Sequence, residues 1–308
     1  MPDTYVSQFS GEEIDAALRA VLTASGGGIN PNLLDNWFFG RPVNQRGQTE
    51  YTYTPTPSYT IDRWKADGNG TIMLKDGYID VFNNNSWCSV MQYIDNPKYF
   101  AGKTLTASML RRDENPLKLI LYVDGKSLGE VLKTDKLVSI TVTLPDNVSS
   151  LAILFGADAN KTSSILAAKL ELGGTQTLAH KENGVWVLNE IPDFGDQLRR
   201  CQRYALKIGD ASRYCSLGTG VARDEQFVSF TIPTPVTMRT VPSLTGTPVG
   251  FTMRHSDVKV SGGETFAVDA ASQNSVILKV KAQISLTAGE AYEAFLAPNG
   301  SLMLSADL

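Results

Sequence analysis

The sequence predicts a mainly β protein. It should have a short N-terminal helix, a β-sandwich of jelly-roll type in the middle, and a small, helix-led β domain at the C-terminal end. Three observations carry this. Short β-branched or apolar runs recur between turn residues from Ile29 to Leu178 with no helical period between them. Two isolated segments, near residues 10–22 and 195–209, carry apolar residues at helical spacing. The 308 residues are enough for about two domains.

In residues 1–28, Ser10 and Glu13 stand in the capping-box arrangement, and Phe9 and Ile14 occupy the staple positions. Ile14, Leu18, Val21 and Leu22 then form one apolar stripe, which ends at Ser25-Gly26-Gly27-Gly28. A helix of about four turns is marginal alone in water, so the stripe needs a partner. In residues 29–178, GTIMLKDGYIDVF, KTLTASML, LKLILYVDGKSL, LVSITVTL and SLAILFG read as strands, and Asp76-Gly77 and Asp124-Gly125 as two-residue hairpin turns. Residues 179–308 open with GDQLRRCQRYALKIG. Leu198, Cys201, Tyr204, Ala205 and Ile208 would share one helical face there, with Asp193 or Asp196 as cap and Gly209 as stop. Strand-like runs follow, and Asn299-Gly300 reads as a last hairpin turn.

Composition narrows the function classes. A formal net charge of −4 gives no basic surface for nucleic acid or an anionic membrane. No apolar stretch approaches the ~20 residues that span a bilayer, and MPDTYVSQFSGEE has no secretory pattern. Cys88, Cys201 and Cys215 lack disulfide-framework or zinc spacing and fit synthesis in a reduced cytoplasm. No cofactor, metal or catalytic residue is expected. His255-Ser256-Asp257 resembles a triad only as letters, because adjacent strand residues point to opposite faces. Arg199, Arg200 and Arg203 around Cys201 would lower a thiol pKa, yet the helical reading sends most of them to the other side. Cys201 is therefore expected to pack as a small hydrophobe.

Aromatic residues are the stronger lead. Trp37, Phe38, Phe39, Tyr51, Tyr53, Tyr59, Trp64, Trp87 and Tyr93 crowd the start of the middle domain. Exposed rings stack on sugar faces while polar neighbours fix orientation. The expected contacts are Trp87, Tyr93, Trp37 and Tyr59, with Trp87 the least core-like inside Asn83-Asn84-Asn85-Ser86 and Trp64 turned inward.

NLLDNWFFGRPVNQRG with YTIDRWK, AAKLELGGTQT, QLRRCQRYALKI, FSGEEIDAALRAV and VTMRTVPSLTG together resemble bacteriophage and prophage tail-fibre or receptor-binding proteins. The resemblance implies a homotrimeric adhesin of the virion tail, made in the host cytoplasm. Its N-terminal helix would join its copies or attach to other tail or baseplate proteins. It also implies a middle domain similar to carbohydrate-binding jelly rolls, whose last strand reads KLE-G, here Lys169, Leu170, Glu171 and Gly173. A β-rich tip would follow the CQRY helix, and the partner would be a bacterial cell-surface glycan. A surface-polysaccharide depolymerase and a purely structural tail component are the other readings, and no internal repeat favours the depolymerase.

Overall fold

The computed structural model describes residues 30–209, 211–255, 258–261, 265–282 and 285–307. The expected helix within residues 1–28 and the Ser256-Asp257 pair lie outside them. The chain forms two compact units. The first holds the described residues up to Gly40, Glu50–Pro57 and Ala66–Ile191. The second holds Arg41–Thr49, Ser58–Lys65 and Pro192–Leu308. The division therefore falls after Ile191 and not after Leu178, and two short segments from the front of the chain belong with its C-terminal part.

In chain order the strands up to Ile191 are β1 (Glu50–Tyr53), β2 (Ser58–Tyr59), β3 (Lys65–Lys75), β4 (Tyr78–Tyr93), β5 (Thr104–Arg111), β6 (Leu117–Val123), β7 (Lys126–Lys133), β8 (Leu137–Thr143), β9 (Leu151–Ala157), β10 (Thr162–Leu172), β11 (Ala179–Glu182) and β12 (Val185–Leu188). The main sheet runs β7-β6-β9-β4-β10-β5-β8, antiparallel throughout, with β3 also on β4. Asp76-Gly77 and Asp124-Gly125 turn the chain as expected, with Gly77 at φ 84° and Asp124 and Gly125 at φ 47° and 79°.

β4 makes the sandwich. Its first part, Ile79–Phe82, pairs with β10, and its last part, Val90–Tyr93, pairs with β9. One strand thus passes from one layer to the other. The space it vacates beside β10 is filled by residues 32–39. Leu33 N donates to Leu170 O, Phe39 N to Leu166 O, and Ala168 N to Trp37 O. The Asn32 side chain donates to Ala168 O and accepts from the Leu34 and Leu170 amides, while Gln92 and Asp35 exchange two bonds of 2.7 Å. Between the layers Phe39 meets Phe155 edge-on at 6.0 Å, and Val90, Met109, Leu119, Leu121 and Leu170 are buried as well. At the sheet ends β7 closes on β8, because only a glycine at 129 leaves room for Val142 and Ile140.

The KLE-G strand end has a physical role. Lys169 and Glu171 point away from that core yet are fully buried, because residues 173–190 pass over them. Lys169 Nζ lies 3.2 Å from Glu190 Oε1 and 3.8 Å from Glu171 Oε2. Glu171 accepts from the Thr177 amide and hydroxyl, and Thr106 donates to Gly173 O. Charges are tolerated there because each is paired and hydrogen-bonded.

In the second unit, α1 (Phe194–Gln202) is capped by Asp193, whose side chain accepts from the Asp196 amide. β13 (Ala205–Ile208), β14 (Cys215–Ala222), β15 (Phe227–Pro233), β16 (Ser243–His255), β17 (Val258–Ser261), β18 (Thr265–Ala271), β19 (Ser275–Lys281) and β20 (Ala291–Ser305) form the sheet β17-β16-β20-β14-β15-β19-β18, with β13 also on β20. Val228, Phe230, Met253, Leu278, Leu296 and Leu304 are in its core.

Three expectations are corrected in this unit. The helix expected over 195–209 stops at Gln202, because Ala205–Ile208 pairs with Leu302–Ser305 of β20 and a strand pairing outweighs the helical period. Asn299-Gly300 closes no hairpin. β20 runs through it, and its pairing with β16 jumps from Val249–Ser301 to Phe251–Leu296, so Asn299, at φ 63°, sits in a bulge. Finally, α1 does not begin the unit, since residues 41–49 and 58–65 belong to it as well.

Candidate functional site

The motifs GRPVNQRG, YTIDRWK and CQRYALKI meet inside the second unit. Arg46 lies 2.8 Å from Asp62 Oδ1 and 2.6 Å from Asp307 Oδ2. Gln45 donates its amide to Asp62 Oδ2 and its side chain to Ala205 O, and accepts from Lys207 N. Arg63, at φ 70°, stacks its guanidinium 3.5 Å from the centre of the Tyr204 ring. The Arg203 and Tyr204 carbonyls accept from Arg239 and Ala306. Every group has a scaffolding partner, so this cluster joins segments of chain.

Burial pushes the Asp62 carboxyl up from 3.8 to about 6, with the Gln45 amide and Arg46 opposing it and Asp307 adding to it. Asp307 is raised for the same first reason, against Arg46. A carboxyl that takes its proton more readily folded than unfolded adds stability fully below about pH 4, and that contribution fades as pH rises through about 6. Wild-type urea midpoints should therefore rise relative to Asp62→Asn between pH 7.5 and pH 5. A difference independent of pH would contradict the shift.

Cys201 is closed to solvent and reagent at 0 % exposure, while Arg199 and Arg200 are exposed. Cys88 is buried too, and burial raises its thiol. The described residues contain no group of three or more His, Cys, Asp and Glu placed to hold a metal ion.

The expected contacts separate. Trp37 is 3 % exposed and packs edge-on to Phe38, so its ring gives a ligand no surface. Tyr59 belongs to the second unit, where Arg46 and Lys65 lie over its ring. Trp87 is 56 % exposed on β4, and Tyr93 is half-buried at the end of the same strand. Strand alternation puts Trp87, Ser89, Met91 and Tyr93 on the face opposite Cys88, Val90 and Gln92, and on that face Ser89 and Met91 are themselves buried. Six residues of strand separate Trp87 from Tyr93 by roughly 20 Å.

The register supplies what composition did not. Ala152 of β9 pairs with Tyr93 on one side and Tyr122 of β6 on the other. Paired residues share a face, so two half-buried tyrosines flank one alanine, their strands about 10 Å apart. Tyr122 donates its hydroxyl to Gly125 O at 2.7 Å, which fixes the ring toward the turn. In the next row lie Met91, Leu154 and Ile120. Gly156 lets β9 approach here, since a Cβ would stand 2.1 Å from Cys88 O. The result is a shallow slot: Ala152 and Met91 at its floor are closed to solvent at 0 and 7 % exposure, and the surface it offers comes from the two half-buried rings with Leu154 and Ile120. Alternation in LKLILYVDG already placed Tyr122 opposite the core positions, but only the cross-strand register brings it to Tyr93.

The second unit has its own concavity, of about 710 Å³, where β14 and β15 part beyond their paired residues 221–222 and 228–229. Leu206, Leu217, Ile232 and Pro233 line it with Lys207 and Thr231, and no aromatic ring does.

No protein-family model and no curated protein matches this chain. Among solved structures, CBM51 from Clostridium perfringens GH95, in complex with methyl-galactose, is similar at 12 % identity and a TM-score of 0.23, over 40 % of this chain and 99 % of that one. Tandem CBM51 modules of the family 98 glycoside hydrolase from Streptococcus pneumoniae give 9 % and 0.23, over 84 % and 92 %. The CBM22 tandem of Paenibacillus barcinonensis Xyn10C gives 9 % and 0.28, over 91 % and 98 %. Likeness at this level assigns neither a family nor a ligand.

Proposed function

We propose that this chain is a receptor-binding component of a bacteriophage tail that holds a bacterial surface glycan without cleaving it. The observation that carries the binding reading is the Tyr93–Ala152–Tyr122 row on the outer face of β4, β9 and β6. Tyrosine combines a broad apolar face with a polar tip, which suits the alternating CH and OH surfaces of a sugar ring. The slot lies on paired strands, so little ordering cost is left for the moment of binding. The phage assignment rests on the joint motif pattern in the sequence. It makes the protein a homotrimer attached to the tail through residues 1–28, with neither nucleic-acid binding nor membrane insertion. Three linked copies would turn weak single-site contacts into firm adhesion.

Tyr93→Ala and Tyr122→Ala should each weaken binding to isolated cell-surface polysaccharide about tenfold or more, at nearly unchanged melting temperature. Wild-type binding by both variants would refute the slot. Release of new reducing ends from the polysaccharide would replace adhesion with depolymerisation.

A further inference from the structure

We infer, independently of the glycan reading, that the concavity between β14 and β15 receives an extended segment of another protein chain. That segment inserts as a strand between the two and brings a carboxylate to Lys207. The concavity is a break in a sheet. Arg223 N donates to Phe227 O, and Val221 with Ser229 is the hydrogen-bonded pair that follows. Main-chain groups alternate in direction along a strand, so Thr219 and Thr231 also turn their N–H and C=O toward the facing strand. The outer sides agree with this phase. Ala222 N donates to Glu290 O on the β20 side, and on the β19 side Ala282 N donates to Gln226 O and Thr234 N to Asn274 O. Yet the ladder ends at Val221 and Ser229, and the pair due next, Thr219 with Thr231, is not made. Both threonines are exposed, and a Cβ on Gly218 would meet nothing within 4 Å.

The same line of chain shows what completes such an edge. β13 and β14 lie one after the other along β20, against residues 302–305 and 291–296, while β16 holds the opposite edge of both stretches. On β13, Gln45 Nε2 donates to Ala205 O at 2.7 Å and Gln45 Oε1 accepts from Lys207 N at 3.3 Å. A side-chain amide thus stands where the main chain of a neighbouring strand would. Farther along, an extended peptide supplies the same groups at every second residue on each side, and so serves both open edges. A lipid tail has no donors for them. Leu206, Leu217 and Ile232 are buried at the floor, which suits apolar side chains at alternate positions of the insert. Charge selects further. Lys207 is exposed, is the sole charged residue lining the concavity, and has no carboxylate partner among the described residues. An insert carrying Asp or Glu complements it, whereas a basic one is repelled.

The test screens the full-length protein against a yeast-displayed library of peptides of about eight residues, in which Val, Ile or Thr alternates with any residue. Enriched peptides should carry Asp or Glu, and as synthetic peptides they should slow amide hydrogen exchange in residues 216–220 and 229–233. N-methylation of either alternate set of peptide amides should weaken binding about tenfold or more, because an inserted strand uses both of its edges. Lys207→Glu, a change at an exposed side chain, should weaken the acidic peptides about threefold and turn enrichment toward basic ones. No enrichment, protection confined to other residues, tolerance of methylation on one set, or an unchanged preference in Lys207→Glu overturns the inference. Slow exchange at Thr219 and Thr231 in the protein alone, lost on dilution to monomer, overturns it too, because a second copy then fills the gap.

Discussion

Residues 192–308 expressed alone should not fold cooperatively. Most of the second unit's sequence, with its Val228–Phe230–Leu278 core cluster, is in that fragment, but the buried residues and polar partners supplied by residues 41–49 and 58–65 are not. Val43, Ile61 and Trp64, at 1, 0 and 0 % exposure, come from the two segments near the front of the chain. Burying each contributes about 2 kcal/mol, a sum comparable with the net stability of an ordinary domain. The fragment also leaves Asp307 buried without Arg46, Tyr204 without Arg63, and Ala205 O without its Gln45 donor. Circular dichroism in urea should show a broad, low-midpoint change, and linking residues 41–65 to the fragment should restore a sharp transition. An equally sharp transition in the fragment alone would show the front segments to be ornaments on a self-sufficient domain.

The second large effect is expected at the KLE-G strand end. Lys169→Met should cost about 3–5 kcal/mol, because it strands the Glu171 carboxylate in a site closed to water. The double variant Lys169→Met with Glu171→Gln should recover much of that loss, since the Gln amide oxygen still accepts from Thr177 and no buried charge is left. Urea unfolding of both variants separates the two terms. Equal costs for single and double variant would mean that lost packing, and not an orphaned charge, sets the penalty.

Local chemistry made the strands legible. Alternation, β-branching and Asp-Gly turns placed β3 and β5 to β9 and the start of β4, and Asp193 was already a candidate cap for α1. What failed was non-local. Residues 203–208 carry a helical period, and only β20, about a hundred residues on, turns them into a strand. Residues 41–49 and 58–65 sit amid middle-domain sequence, and nothing local marks their membership of the other unit. Trp37 was an expected ligand contact through its place in the aromatic cluster, whereas its backbone bond to Ala168 seats it beside β10. The slot was half legible. Tyr93 stood out as one of the aromatics crowding the start of the middle domain, but Tyr122 and Ala152 acquire meaning only once the β4–β9–β6 register is known.

The central claim is that ligand lies across the outer face of β4, β9 and β6. A crystal structure of the full-length protein with an oligosaccharide released from polymer that it captures tests this most directly. The expected result is a sugar ring packed on Tyr93 and Tyr122. A sugar ordered instead in the β14–β15 concavity, or only around Trp87, with the tyrosine slot filled by water, would contradict it.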